Sequence, residues 1–289
     1  MITDDFASMR FGINTFLFAS PFTNRHTRLF ADFKRWGFES VEIAVEEPRH
    51  IDPAFIKKEL ARHGLVVGSI SACFGPGRDL RGSPKEQYAT VKYVMNLLEQ
   101  MVTLDCPTLI GPIYSCVGRA EAVPRAEYKR QWRTVVKNLK PLCREAEKLG
   151  KQLCLEPLNR YETDFINTCD QALEMIHDVG SPALKILLDT FHMNIEEKSL
   201  AGAVLRAGPH LGHFHASASD RGTPGNDHID WRALGAALQD IRYKGDVVIE
   251  SFTPEVKIIA RAAAIWRHIE PTREEIAERG LEFLRKALK

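Results

Sequence analysis

The sequence predicts an α/β fold, a single (β/α)8 TIM barrel over residues 1–289, and three observations predict it. Short apolar runs alternate along the chain with stretches of helical periodicity. The unit recurs roughly every 30 to 35 residues, which suits a barrel of about 250 residues. Four of the later runs also end on a residue that can do chemistry. Leu153-Cys154-Leu155 is closed by Glu156, Ile186-Leu187-Leu188 by Asp189, Leu211-Gly212-His213-Phe214 by His215 and Val247-Val248-Ile249 by Glu250. In a barrel, strand C-termini converge on one mouth. In the rival doubly wound open sheet, strands five to eight could not all surround one point.

The elements follow in order. Residues 10–18 predict the first strand. Leu29, Phe30, Phe33 and Trp36 keep helical spacing over 28–36, and Gly37 stops that helix. Residues 41–45 form the second strand. Asp52-Pro53 opens a helix with N-cap and N1 chemistry, running to His63 with Gly64 behind it. The third strand is 65–72, and a loop rich in Gly and Pro leads to a long helix over 85–104. Strand four covers 108–113, followed by a helix over 125–149 closed by Gly150. Strand five covers 152–156, the next helix 169–179, and strand six 184–189. A short helix near 199–207 precedes strand seven, which holds 213–216. A helix over 231–241, strand eight over 246–250, a helical segment near 255–271 and a last helix over 272–288 complete the chain.

Composition narrows the function. The net charge of +1 argues against a nucleic-acid partner held by bulk charge. Six cysteines lie at 73, 106, 116, 143, 154 and 169 without a Cys-x-x-Cys pair, so neither a zinc ribbon nor a disulfide framework is indicated. They read as structural thiols in a reducing cytosol. Met1-Ile2-Thr3-Asp4-Asp5 lacks a signal-peptide pattern, and no apolar run nears the roughly 20 residues of a membrane span. A cytoplasmic protein is expected, with no membrane partner.

Any one of the four strand-end residues would read as half of an ion pair. Together, three carboxylates and one imidazole suit a single divalent cation, Mn²⁺ first, with Mg²⁺ or Co²⁺ next. A structural zinc site more usually carries cysteine. Polar residues surround these ligands: Asn159, Arg160 and Glu162 after Glu156, His192 after Asp189, and Arg221 after His215. They offer the donors and acceptors that a polyhydroxylated substrate needs. Taken singly, Arg221 would read as a surface ion pair and His192 as a satisfied core histidine.

Three blocks carry a resemblance: Leu155-Glu156-Pro157-Leu158-Asn159-Arg160-Tyr161-Glu162-Thr163, Leu188-Asp189-Thr190-Phe191-His192-Met193-Asn194-Ile195-Glu196, and His213-Phe214-His215-Ala216-Ser217 on to Arg221-Gly222-Thr223-Pro224-Gly225. They resemble the sugar phosphate isomerase/epimerase superfamily with its xylose isomerase-like barrel, and within it the ketose 3-epimerases (D-tagatose and D-allulose 3-epimerase). The resemblance implies Glu156, Asp189, His215 and Glu250 as metal ligands, with Glu156 and Glu250 also the catalytic acid/base pair. It implies Glu162, His192 and Arg221 as substrate-binding residues. Many members place an aromatic residue on the first strand against the substrate, whereas Gly12-Ile13-Asn14 offers Asn14 there. The implied reaction epimerises a free ketose at C3, such as D-fructose/D-allulose, D-tagatose/D-sorbose or L-ribulose/L-xylulose, in a homodimer or homotetramer. The alternatives on the same barrel are an aldose–ketose isomerase, a hydroxypyruvate isomerase or an inosose dehydratase. A metal-dependent phosphodiesterase would want more histidines and a basic face. A non-catalytic sugar-binding protein would not need two acids facing one cation.

Overall fold

The computed structural model describes residues 9–288, and the acidic stretch 1–5 lies outside them. Eight parallel strands close into a barrel in chain order. They are β1 (Arg10–Asn14), β2 (Ser40–Val45), β3 (Val66–Ala72), β4 (Thr108–Gly111), β5 (Gln152–Leu155), β6 (Leu184–Asp189), β7 (Leu211–His215) and β8 (Asp246–Ile249), with β8 pairing back onto β1. The helices are α1 (Phe30–Trp36), α2 (Pro53–Arg62), α3 (Pro84–Leu104), α4 (Arg125–Lys148), α5 (Cys169–Val179), α6 (Thr190–Glu196), α7 (Leu200–Ala207), α8 (Trp231–Asp240), α9 (Lys257–Ala262) and α10 (Arg273–Ala287). Among the described residues, no helix is long and apolar enough to cross a membrane.

Local chemistry sets many of the boundaries. Asp52 accepts the N–H groups of Ala54 and Phe55 ahead of Pro53 at N1. Ser83 and Glu86 form a capping box on α3, and Thr168 accepts the N–H of Gln171 on α5. Gly37 and Gly180 end α1 and α5 in the left-handed conformation. Three expectations are corrected. The first strand stops at Asn14 rather than 18, because the Asn14 side chain accepts the N–H of Phe16 and starts a 3₁₀ turn, Thr15–Leu17. The helix expected over 28–36 begins as a 3₁₀ segment, Asn24–Leu29, and becomes α-helical at Phe30. The helical segment expected near 255–271 condenses to α9, because Ala264 takes a positive φ of 56° just beyond it.

Strand register decides which side chains face inward. Register partners share a face, and faces alternate along each strand. Gly12 pairs with Ser40 and Asn14 with Glu42; Glu42 then pairs with Ser69. Thr108 pairs with Gln152 and Ile110 with Cys154. Leu187 pairs with His213, Asp189 with His215, and His215 with Val248. This inner face is largely polar, whereas the main apolar core, including Ile43, Leu109, Leu153, Ile186, Phe214 and Val247, forms a cluster with helix residues such as Phe33, Leu97 and Leu139.

Two register shifts tune the inner face. Val41 pairs with Val67 but Glu42 with Ser69, leaving Gly68 as the extra residue. Ile186 pairs with Leu211 but Leu187 with His213, leaving Gly212 extra. Such a bulge re-aims the residues after it. Here the second bulge turns His213 and His215 inward. Neither extra residue has free room for a side chain: a Cβ at Gly68 would fall 1.9 Å from Asp246 Oδ2, and one at Gly212 2.7 Å from Cys154 Sγ and from Lys185 Cβ.

Candidate active site

Four consecutive strands deliver four chelating side chains to the mouth. Glu156 follows β5, Asp189 ends β6, His215 ends β7 and Glu250 follows β8. All four are buried, and one donor atom from each lies within 4.8 Å of the others. His215 Nδ1 stands 3.3 Å from Glu250 Oε2, 3.8 Å from Glu156 Oε1 and 3.9 Å from Asp189 Oδ2. Glu156 Oε1 and His215 Nδ1 have no hydrogen-bond partner although both are buried. An octahedral ion at roughly 2.1 Å from its ligands sets neighbouring ligand atoms about 3 Å apart and opposed ones about 4 Å apart. The cluster has that spacing, an oxygen-rich donor set and two orphaned donor atoms, so its residues fit a divalent cation.

The demand for positive charge also shows in the titrating groups. Burial acts against a charged His215, yet Glu42 and Glu250 outweigh it and hold the imidazole well above its ordinary value. Burial pushes the Glu156 carboxyl well above the usual range, and Glu250 adds to the effect. Burial acts the same way on Glu250, but His215 and Arg221 outweigh it and hold this carboxyl below the usual range. Two glutamates at one site are therefore driven apart, one toward the acid form and the other toward the carboxylate.

Arg221 is buried rather than a surface residue. Its Nη1 donates to Asp189 Oδ2 at 2.7 Å, Ser217 Oγ at 2.9 Å and Glu250 Oε2 at 3.1 Å. Its guanidinium lies 4.2 Å from the Phe191 ring centre and 4.9 Å from that of Phe252. His192 comes from α6, a helix with no counterpart in the sequence reading. Asp189 caps that helix through the N–H of Phe191, so one residue both ends the strand and starts the helix. The backbone N–H of Asn159 donates to His192 Nδ1 at 3.1 Å. Burial holds the His192 ring down to about 3, and Arg221 Nη2 lies 3.3 Å from its Nε2. That nitrogen faces Glu156 Oε1 at 3.8 Å and Asp189 Oδ2 at 4.0 Å. Glu162 accepts from Asn159 Nδ2 at 2.8 Å, and burial raises its carboxyl against the pull of Arg221.

Asn14 sits beside the cluster with its amide engaged by protein. Nδ2 donates to Glu42 Oε1 at 2.7 Å and Glu250 Oε1 at 3.1 Å, and Oδ1 accepts the N–H of Phe16. The aromatic residue at this end is Phe16, whose ring lies 6.2 Å from that of Phe252. Both belong to an apolar cluster with Ala44, Ala260 and Ile265, which brings α9 and the segment after it over the mouth. Sequence reasoning missed Glu42, His213, Phe16 and Phe252. A signal existed for two of them: Glu42 interrupts an apolar strand, and His213 shares its face with His215.

The chain matches the xylose isomerase-like TIM barrel family over residues 30–287. It belongs to that family. Among its relatives, a probable ketose 3-epimerase of Synechocystis sp. is 35% identical over 281 residues, covering 96% of both chains. The D-psicose 3-epimerase of Enterocloster bolteae is 32% identical over 276 residues, covering 89% of this chain and 90% of its own. Among solved structures, the D-allulose 3-epimerase of Methylomonas sp. in complex with D-allulose superposes with a TM-score of 0.90 at 28% identity, over 96% of this chain and 97% of that one. The family barrel and the strand-end cluster were both expected from the sequence.

Proposed function

We propose that the protein is a divalent-metal-dependent ketose 3-epimerase. One observation carries the reading: Glu156, Asp189, His215 and Glu250, from four strands, meet in one buried cluster that fits a single divalent cation. The names of the relatives support it. A cation held by these four residues supplies Lewis-acid polarisation of the substrate's oxygens.

The remaining steps belong to the chain. Epimerisation at C3 removes a proton beside a carbonyl and returns one to the opposite face. One carboxylate cannot reach both faces, so two are required. Glu250, whose Oε2 accepts from Arg221, takes the proton in one direction. Glu156, on the other side, delivers a proton to the opposite face. The roles exchange in reverse. Arg221 and His192 bind substrate oxygens near the carbonyl end, and Glu162 accepts from a hydroxyl. Asn14 lines the same end while steadying Glu250. Mn²⁺ is the preferred ion, with Mg²⁺ and Co²⁺ able to substitute in an oxygen-rich site, and the enzyme assembles as a homodimer or homotetramer.

The test is product analysis with D-fructose, D-tagatose and L-ribulose in the presence of Mn²⁺. C3 epimers are the expected products. Glu250→Gln and Glu156→Gln should each lower turnover by about 10²- to 10⁴-fold, the usual worth of general acid–base catalysis. An aldose product would move the assignment to an aldose–ketose isomerase. Full turnover by Glu250→Gln would remove that residue from catalysis.

A further inference from the structure

A second group of chelating residues lies behind the first: Glu42, His213 and His215. It has the composition of a small metal site, but its carboxylate is already filled. Glu42 is fully buried on β2, facing the barrel interior. Oε1 accepts from Asn14 Nδ2 at 2.7 Å and lies 2.8 Å from His215 Nε2. Oε2 accepts from Ser69 Oγ at 2.5 Å and lies 2.8 Å from His213 Nε2. With an amide and a hydroxyl donating to its two oxygens, the group is a hydrogen-bond hub rather than a cation cage.

We infer that Glu42 is the positioning residue of the active site, fixing which nitrogen of His215 faces the catalytic cluster and which oxygen of Glu250 does. This rests on the metal-dependent reading above. A histidine that ligates a metal is neutral, with one N–H and one lone pair. Holding the N–H of Nε2 on Glu42 leaves the lone pair on Nδ1, the atom that faces Glu156, Asp189 and Glu250. Asn14 carries the same control to the proposed base. Its Nδ2 spans Glu42 Oε1 and Glu250 Oε1, leaving Glu250 Oε2 to face His215 Nδ1. One carboxylate on β2 thus aims a ligand on β7 and a catalytic glutamate after β8. The bulges at Gly68 and Gly212 are what bring Ser69 and both histidines onto it.

The alternative role is charge balance, with Glu42 merely offsetting two buried imidazoles. Calorimetric titration of metal-stripped full-length protein with Mn²⁺ separates the two. Removing an outer partner of a ligating histidine typically costs 10- to 100-fold in metal affinity. Glu42→Gln is expected to lose about that much. Glu42→Asp keeps the charge, and so protects the fold, but withdraws the carboxylate from His215; it is expected to lose at least about tenfold. His213→Gln leaves the Glu42–His215 contact intact and should stay within about threefold of wild type. Wild-type affinity in Glu42→Asp, or a loss in His213→Gln as large as in Glu42→Gln, would overturn the inference and leave the function standing. If the wild-type protein itself takes up no Mn²⁺, the metal-dependent reading fails and this inference fails with it.

Discussion

Arg221 shows how much one backbone angle can decide. Its φ of 67° is left-handed, a conformation that costs a side-chain-bearing residue on the order of 1–2 kcal/mol. The Ser251 hydroxyl donates to its carbonyl and helps hold the turn. The result is a guanidinium facing Asp189 and Glu250 between two aromatic rings. Lysine keeps the charge but has neither the planar fork nor the stacking face. Arg221→Lys should therefore lower kcat/KM by about 10- to 100-fold, corresponding to one lost charge-assisted hydrogen bond of about 1.5–3 kcal/mol. Steady-state kinetics with D-fructose would show it, and unchanged kinetics would place Arg221 outside the site. Taken singly, Arg221 reads as a surface ion pair; its place after His215 and the resemblance put it near the ligands. A positive φ on arginine leaves no mark in composition or periodicity. Glu42 did leave a mark, as an acid interrupting an apolar strand, but only the register shows what it faces.

At the scale of elements, the strands were legible to within a few residues because continuous apolar runs mark buried parallel strands. The misses have local causes. α6 is seven residues long, too short to show a period, and its N-cap is also the last residue of β6. The bulges were invisible because a glycine in a strand signals a bulge only once its neighbours are known. Yet they carry a consequence. Without the extra residue at Gly212, His213 and His215 would fall on the outer face. Gly212→Ala puts a methyl against Cys154 Sγ and Lys185 Cβ, neither of which is the free end of a flexible chain. Overpacking of this kind typically costs about 1–3 kcal/mol. Gly212→Ala should therefore lower stability by that amount in urea unfolding and weaken Mn²⁺ uptake at the same time. A variant that loses stability but binds Mn²⁺ as wild type does would mean the bulge serves packing alone.

For the whole molecule, the question is why a barrel would fill its mouth with buried acids. The periodic strand–helix pattern announced the barrel, and four strand ends announced the acids, but their energetic cost appears only when the side chains are seen together. Glu156 resists ionisation, and Arg221 and His215 hold the other charges in place. A ligand that binds only the folded state stabilises it by about 2.7 kcal/mol at 100 times its Kd. For a chain of this size each kcal/mol is worth roughly 2–4 °C. Saturating Mn²⁺ should therefore raise Tm by about 5–10 °C, with the midpoint tracking metal concentration and returning on addition of a chelator. Glu156→Gln separates the two sides of this balance. It removes the carboxyl whose burial opposes ionisation, so the chelated variant should unfold at or above the temperature of chelated wild type. It also removes a ligand, so the gain on adding Mn²⁺ should shrink to a small fraction. Scanning calorimetry on the four samples tests both halves: if Mn²⁺ stabilises Glu156→Gln as much as wild type, Glu156 does not hold the ion.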